Sequence, residues 1–382
     1  MTKQILKAYK VRLYPNDEQK VFFAKSFGCT RFIWNMMLAD KIEYYNEHKV
    51  ELKNTPAQYK KEFEWLKEVD SLALANVQQN LRAAYSKFFK GAGFPKFKKK
   101  GHCDSYTTNN QKGSVSTTSN SVKLPKIGRV KASFPSSTNG LIKNATVSRM
   151  PSGKYYVSLL VETIIDELPK TGSNIGVDLG LADFIVLSDG SKAANPKFLS
   201  KLQDKLAREQ KILARRREIA NTEQRKLSDS KNYQKQKLKV AKVYERITNC
   251  RKDFLHKLSF NLIKSHDVIA IEDLNVKGMV KNRKLAKAIS DSSWSTFTTM
   301  LAYKAEWYGK ALIKIDRWYP SSKTCSGCGH LLIKDKLSLS VRSWTCPSCQ
   351  QNNNRDINAS INILNEGLKL ASIKTVGAAG LA

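Results

Sequence analysis

Two Cys-x-x-Cys pairs, Cys325/Cys328 and Cys346/Cys349, stand 17 residues apart near the end of a 382-residue chain. This spacing constrains the fold more tightly than any other feature. Each pair turns two thiolates to one side of a tight knuckle, and two knuckles supply the four corners of a tetrahedron. Gly327 and Gly329 suit the first turn, and Pro347 primes the second. The intervening "LSLSVRSWTC" alternates like a ribbon strand. Four thiolates leave no open coordination position, so the pattern points to a structural Zn²⁺. The other three cysteines, Cys29, Cys103 and Cys250, read as buried thiols of a reducing compartment. A zinc ribbon by itself says little of function, because unrelated proteins carry one.

Charge narrows the partner. The chain has 66 Lys+Arg against 33 Asp+Glu, a formal net charge of +33. Such a surplus repels itself unless a polyanion neutralises it, and nucleic acid is the default polyanion. No apolar run reaches the ~18 residues of a membrane span. Met1-Thr2-Lys3-Gln4 shows no apolar signal region, so a cytoplasmic protein that associates with the nucleoid when bound to DNA is expected.

Periodicity divides the chain. "ILKAYKVRLY" at 5–14 reads as a strand ended by Pro15-Asn16, and Asn16 can cap a helix with Gln19 at N3. That helix runs to the mid-40s, and a second covers about 63–90. After residue 100 the composition shifts to Ser, Thr, Asn and Gly, with β-prone pieces at 121–125, 128–134 and 154–162. These predict a small barrel or sheet whose first strand is the N-terminal one, with the helices inserted. Beyond a linker at 166–173, two short strands, an antiparallel helix pair, the buried strand "DVIAIEDL", another helix and another strand lead to the cysteines. A last helix starts near 356, and the end of the chain reads as loose.

Three acids form a constellation on this frame. Asp178 ends an apolar strand in "NIGVDLGLADF", and Glu272 ends "VIAIED". Asp356 opens the last helix. Singly, Asp178 reads as a turn acid and Asp356 as an N-cap sooner than as site residues. Together they suggest a ribonuclease-H-like sheet. There the first strand is central, the next parallel strand lies beside it, and a late helix brings the third carboxylate. Such a set suits Mg²⁺ (or Mn²⁺), and two ions about 4 Å apart can cleave a phosphodiester. Asp183, in the same stretch, reads as a solvated turn residue, and His256 as a packed helix histidine.

These residues sit in motifs that resemble the TnpB family, transposon-encoded RNA-guided DNA endonucleases similar to type V CRISPR effectors. The resemblance runs nearly end to end: "KAYKVRLYP", "FGCTRFIWN", "GFPKFKKK", "GVDLG", "IAIEDLNVKGM", "RWYPSSKTCSGCG", "WTCPSCQ" and "NRDINASINIL". It implies an α/β fold with β-barrel and helical insertion: an OB-like wedge barrel (1–15 and 113–168), a helical recognition domain (16–112), a RuvC nuclease domain (169–320 and 351–382) and a zinc ribbon (321–350). It implies Asp178, Glu272 and Asp356 as the catalytic acids, a guide RNA from the transposon end, a short motif read beside the target, and double- and single-stranded DNA as substrate. A monomer is expected. The family commonly has Gly after the fourth cysteine and His-Asp before Arg355, where this chain has Gln350, Asn353 and Asn354. Because inactive relatives lose the acids and this chain keeps all three, an active nuclease is expected.

Nucleic-acid contacts are assigned from local chemistry. Phe94, Lys96, Phe97, Lys98, Lys99 and Lys100 combine phosphate neutralisation with base stacking, against the alternative of a solvated basic loop. Arg215, Arg216, Arg217, Arg251 and Lys252 lie on the helix pair, in a stretch (201–257) with 18 Lys/Arg and 7 Asp/Glu, and are expected near the cleft as phosphate contacts. Gln78 and Gln79 interrupt an apolar stripe. An amide there could read an adenine edge or simply bridge helices. Besides a guided nuclease, a strand-joining transposase, a guided DNA-binding repressor and a plain basic RNA-binding protein fit the charge. The last leaves "GVDLG" and "IAIEDL" unexplained.

Overall fold

The computed structural model describes residues 2–101, 104–134, 138–332 and 341–379, so Cys103 and part of the expected ribbon strand lie outside the described residues. The chain divides into two compact units, one of residues 4–164 and one of residues 1–3 with 165–382.

In the first unit, β1 (Thr2–Tyr14) precedes α1 (Asp17–His48), α2 (Pro56–Glu62) and α3 (Ser71–Phe89). The capping box at Asn16 is formed as expected: its side chain accepts from the Gln19 N–H, and Gln19 returns the bond. Then come β2 (Asp104–Asn109), β3 (Ser116–Thr117), β4 (Ser121–Leu124), β5 (Gly128–Ser133), β6 (Leu141–Arg149) and β7 (Tyr155–Asp166). They form one sheet in the order β2-β6-β7-β1-β5-β4-β3. β1 thus lies inside the sheet and the helices are inserted after it, as the sequence suggested. After the helices, the sheet resumes with β2 at Asp104, ahead of residue 113, the boundary that the family resemblance implied. In β2 the alternate side chains Tyr106 and Thr108 are buried, and its Ser/Thr/Asn content carries no apolar alternation that marks a strand. Phe23 and Phe27 of α1 pack on Tyr106 and Tyr155 over one face of this sheet.

The second unit is built on a five-stranded sheet. It contains β8 (Asn174–Leu179), β9 (Asp183–Leu187), β10 (Lys192–Ala194), β11 (Val268–Glu272) and β12 (Ala311–Ile315), ordered β10-β9-β8-β11-β12. β8 is central; β9 returns antiparallel after the Gly180 bend, and β11 runs parallel beside β8. Both strands are buried on both faces, which explains their near-continuous apolar runs. Ile175, Val177, Ile269 and Ile271 face α5 (Lys231–Ser265) and α8 (Trp294–Tyr308), together with Leu262, Phe297 and Leu301. The opposite face carries α9 (Arg355–Ala379), packed on β8, β11 and β12. α9 extends through Ala379, where a loose end was expected.

Helix α4 (Phe198–Thr222) pairs with α5 through a seam of Leu199, Leu202, Leu206, Val240, Val243 and Ile247. The short helices α6 (Val276–Met279) and α7 (Ala286–Ser292) follow β11. Past the first cysteine knuckle, β13 (Ser343–Thr345) pairs antiparallel with β14 (Asn352–Asn354). Among the described residues no helix is long and apolar enough to cross a membrane.

The packing of α9 requires glycine. A Cβ on Gly176 of β8 would stand 2.0 Å from the Ser360 carbonyl oxygen and 2.8 Å from the Leu364 nitrogen. Backbone on both sides leaves no flexible atom to give way. Gly176→Ala should cost more than the ~1–3 kcal/mol typical of overpacking, read as a lower midpoint in chemical denaturation. A stability equal to the parent would show that α9 does not approach β8 this closely.

Candidate active site

The three acids converge because of which face each residue occupies. Side chains alternate along a strand, so Asp178 shares the face of Gly176, and Glu272 that of Ala270. Ile271 is in register with Val177 on the adjacent parallel strand, which sets Glu272 beside Asp178. On α9, positions three and four apart share a face. Ser360 and Leu364 lie over Gly176, and Gly367 lies over Ala270. Asp356, one turn before Ser360, is therefore carried to the end of β8 where Asp178 stands. Asn354 caps α9, its side chain accepting from the N–H groups of Asp356 and Ile357 at 3.2 Å each. The Asp356 carboxylate is thus free of the capping role considered from sequence and pairs with Arg342 at 3.5 Å.

The effect of the other two acids is felt at Asp178. Burial, then the charges of Glu272 and Asp356, push the Asp178 carboxyl up to about 7, while Arg355 and the Leu179 backbone N–H oppose the shift. Burial also raises Glu272, opposed by the Ser321 hydroxyl, which donates to its Oε1 at 2.6 Å. Carboxylates held this way are a poor resting state for anions and suit a bound cation. A cleft of about 320 Å³ opens beside Glu272, lined by Leu179, Asp273, Trp294, Thr298 and Lys314. Asp183 pairs with Lys192 at 3.7 Å at the edge of the sheet, away from this constellation.

The cysteines form a second constellation. The sulfurs of Cys325, Cys328, Cys346 and Cys349 all lie within 4.8 Å of one another, a cluster able to hold a metal ion. Two of the S–S separations are 3.6 Å, close to the edge of a tetrahedron with ~2.3 Å metal–sulfur bonds. The knuckles repeat each other bond for bond. Gly329 N–H donates to the Cys325 carbonyl and Gln350 N–H to that of Cys346, both at 2.9 Å. Cys325 and Cys346 N–H donate to His330 and Gln351 in the same way. Gly329 has φ +76° and Gln350 φ +60°, so Gln350 occupies a left-handed position that favours glycine. Asn353 is buried, and its amide donates to the Cys325 sulfur at 3.6 Å.

Residues that the sequence left unassigned connect the two sites. Asn358 and Asn362 of α9 donate to the carbonyls of Ser321 and Thr324, and Asn358 accepts from the Ser326 N–H. This ladder fixes the loop whose Ser321 holds Glu272. Its signal was the Asn-x-x-x-Asn spacing in "INASINIL", which puts two amides on one helix face.

The expected nucleic-acid contacts are sorted differently. The loop of Phe94, Lys96, Phe97, Lys98, Lys99 and Lys100 is strapped to α1. Trp34 Nε1 donates to the Lys96 carbonyl, Asn35 exchanges two bonds with the Lys98 backbone, and the Lys98 ammonium lies 4.0 Å from the Trp34 ring centroid. Phe97 remains exposed, as do Lys96, Lys99 and Lys100, while Phe94 packs edge-on against Tyr85 and Phe88. Gln78 donates to the Asn54 carbonyl at 2.9 Å, the bridging role rather than the reading one; Gln79 is exposed. Arg251 is held in a largely buried ion pair with Asp291, whereas Lys252 is exposed. Arg215, Arg216 and Arg217 lie ~25 Å along α4 from its start, toward the tip of the helix pair. They were expected near the cleft, but the apolar seam carries α4 away from the sheet. Arg215 and Arg216 line a separate tip cleft of about 700 Å³ with Arg225, Lys231 and Lys235. Cys29 is buried and Cys250 half-buried.

The Asp178 carboxyl, ordinarily near 3.8, is raised to about 7, so the folded protein disfavours its charge. In cation-free protein this contribution to stability is complete below about pH 4 and is lost as pH rises to about 7. Asp178→Asn, which removes the charge at constant size, should raise the thermal midpoint of EDTA-treated protein at pH 8. The gain should be at most roughly 4 kcal/mol and shrink toward pH 4; equal midpoints at pH 8 would contradict the geometry.

Comparison with known proteins bears on the whole chain. The family profile OrfB_IS605, described as a probable transposase, matches residues 156–283. A Cas12f1-like TNB domain profile matches 294–363, and a helix-turn-helix domain profile matches 1–58. A putative RNA-guided DNA endonuclease of Streptomyces pristinaespiralis is 37% identical over 96% of this chain and 91% of its own length. The putative RNA-guided DNA endonuclease InsQ of Escherichia coli is 32% identical over 95% of this chain and 92% of its own. Among solved structures, Cas12f1 in its complex with sgRNA and target DNA shares the fold, with a TM-score of 0.58 at 14% identity, over 95% of this chain and 99% of that one. With its motifs, sheet order and full-length relatives in agreement, the chain belongs to the TnpB family.

Proposed function

We propose that this chain is an RNA-guided DNA endonuclease of the RuvC type, with Asp178, Glu272 and Asp356 as its catalytic acids. The observation that carries the reading is the convergence of three carboxylates from β8, β11 and α9, with Asp178 raised by its burial and then by the charges of the other two. The guide and the target come from the names of its full-length relatives. The guide would be an RNA from the transposon end. The seven-stranded sheet would serve as the wedge, α1–α3 as the recognition segment, and the four thiols of the ribbon would hold structural Zn²⁺.

The donor set fits a hard divalent cation, and Mg²⁺ (or Mn²⁺) bound there would polarise a water and stabilise the leaving oxygen of a DNA phosphodiester. The chain's own residues prepare that chemistry. Ser321 fixes one oxygen of Glu272. The N-terminal end of α9 and Arg355 offset part of the negative charge. Asp178 must shed its proton to act as a ligand, so cation affinity should fall below about pH 7. Exposed Lys96, Lys99, Lys100, Lys252 and the arginines of the α4–α5 tip would contact phosphates, and Gln79 is the remaining amide for reading the motif beside the target.

The test starts from protein purified with its RNA. That RNA is sequenced, and the complex is offered a randomised DNA library with Mg²⁺. Removing a residue that merely supports a metal ligand costs about 10–100-fold, so Asp178→Ala and Glu272→Gln should lower cutting by more than ~100-fold while RNA binding persists. Cutting that survives both Asp178→Ala and EDTA would sink the reading. The description "probable transposase" keeps a strand-transfer enzyme in view; joining of DNA ends without RNA would favour it. For the ribbon, elemental analysis should find one Zn²⁺ per chain, lost with Cys346→Ser.

A further inference from the structure

Trp318 is 84% exposed, more than any other described large hydrophobic residue. It stands on the turn that leads from β12 to the first cysteine knuckle. An indole presents a large apolar surface, and leaving it in water forgoes the gain of burying it. The turn that displays it is nevertheless firmly held. Asp316 accepts from the Trp318 N–H at 2.7 Å, and the N–H groups of Tyr319 and Ser321 close the turn on Asp316 and Tyr319. On one side of Trp318, Arg317 pairs with Asp273 at 3.1 Å; on the other, Ser321 donates to Glu272 at 2.6 Å. The turn is thus pinned to two consecutive residues at the end of β11, one of them a candidate catalytic acid. The Trp318 ring itself makes no ring contact or side-chain hydrogen bond among the described residues. Ser321 follows three positions along the chain, so the Trp318 Cα lies within roughly 11 Å of that of Ser321.

We propose that Trp318 is a stacking platform for an unpaired base of the single-stranded DNA that enters the nuclease site. The proposal rests on the nuclease reading above. The chemistry favours a single strand, because duplex bases already stack on one another whereas an unpaired base offers a free face to an aromatic ring. Lys314 and Arg317, near Trp318 in the chain, are exposed and share Asp273 as their partner, at 3.4 and 3.1 Å, and their surplus of positive charge suits the adjoining phosphates. Held by Arg317 and Ser321, the ring orders a strand without first having to be ordered itself. Trp318 acts on the substrate's position and leaves the chemistry to the acids.

The test uses the full chain with its co-purifying RNA, in an Asp178→Ala background so that the strand stays intact. The probe is a labelled single-stranded DNA oligonucleotide, offered intact and with one abasic site stepped along it. Trp318→Ala should weaken binding about ten-fold, and Trp318→Phe should restore most of it. One abasic position should weaken the parent by the same factor and leave Trp318→Ala unchanged. In the chain with Asp178 intact, Trp318→Ala should raise KM for strand cleavage with kcat nearly unaltered. Unchanged affinity, or an equal added loss at every abasic position, would overturn the proposal. So would a larger effect on an RNA strand than on DNA, or loss of a dimer in Trp318→Ala. Asp178→Ala protein that still cuts would instead refute the nuclease reading, while the binding arms would still judge Trp318.

Discussion

The approach of one backbone to another at Gly176 governs the second unit. Helix α9 crosses β8 so closely that the Ser360 carbonyl occupies space next to where a side chain would begin. Gly367 allows the same crossing over Ala270 of β11. The helix register follows from these contacts, and Asp356 is delivered to the ends of both strands. The meeting of three acids is thus a consequence of small residues one turn or one strand step away. No attraction among the acids could assemble them, since like charges in a desolvated site repel.

The site is electrostatically inverted against its chain. A protein of net charge +33 places three carboxylates together at the ends of its parallel strands. The opposing positive groups at the site are Arg355, Arg342 beside Asp356, and the start of α9. Dense groups of the remaining cations lie on the strapped loop in one unit and on the α4–α5 pair in the other. Such a separation suits a polyanion held by the periphery and a cation held at the centre. The ribbon also belongs to this arrangement. Asn353 touches a cysteine sulfur, and Asn358 and Asn362 fasten the knuckle loop to α9, so the loop bearing Ser321 and Trp318 is fixed from three directions.

Much of the architecture was legible wherever a local pattern has a local cause. The capping box at Asn16, the two apolar strands ending in acid, the leucine seam of the helix pair and the double knuckle each follow from spacing within a few residues. Strands β2 and β6 were missed because alternating Thr, Ser and Asn resemble a loop until a neighbouring strand buries one face. The candidate nucleic-acid contacts could not be sorted from sequence for a related reason. Gln78, Arg251 and Phe94 carry the right chemistry for nucleic acid, but each is engaged by a partner distant in sequence or folded back on it: Asn54, Asp291 and Tyr85. Arg215–Arg217 were assigned to the cleft because a helix pair was expected beside it; the length of α4 carries them to the tip instead.

By itself, the sequence determined which residues could do chemistry: three acids at element ends, four cysteines in two knuckles, and a cationic surface. Residue type and short-range spacing decide these, and both are written in order along the chain. Only the tertiary structure decided that Asp356 faces Asp178 while Asn354 takes the cap. It also decided that Ser321 holds Glu272, and that Trp318 stays uncovered among its described neighbours. These depend on α9 lying against the sheet at backbone distance, a contact between residues some 180 positions apart that no local pattern encodes.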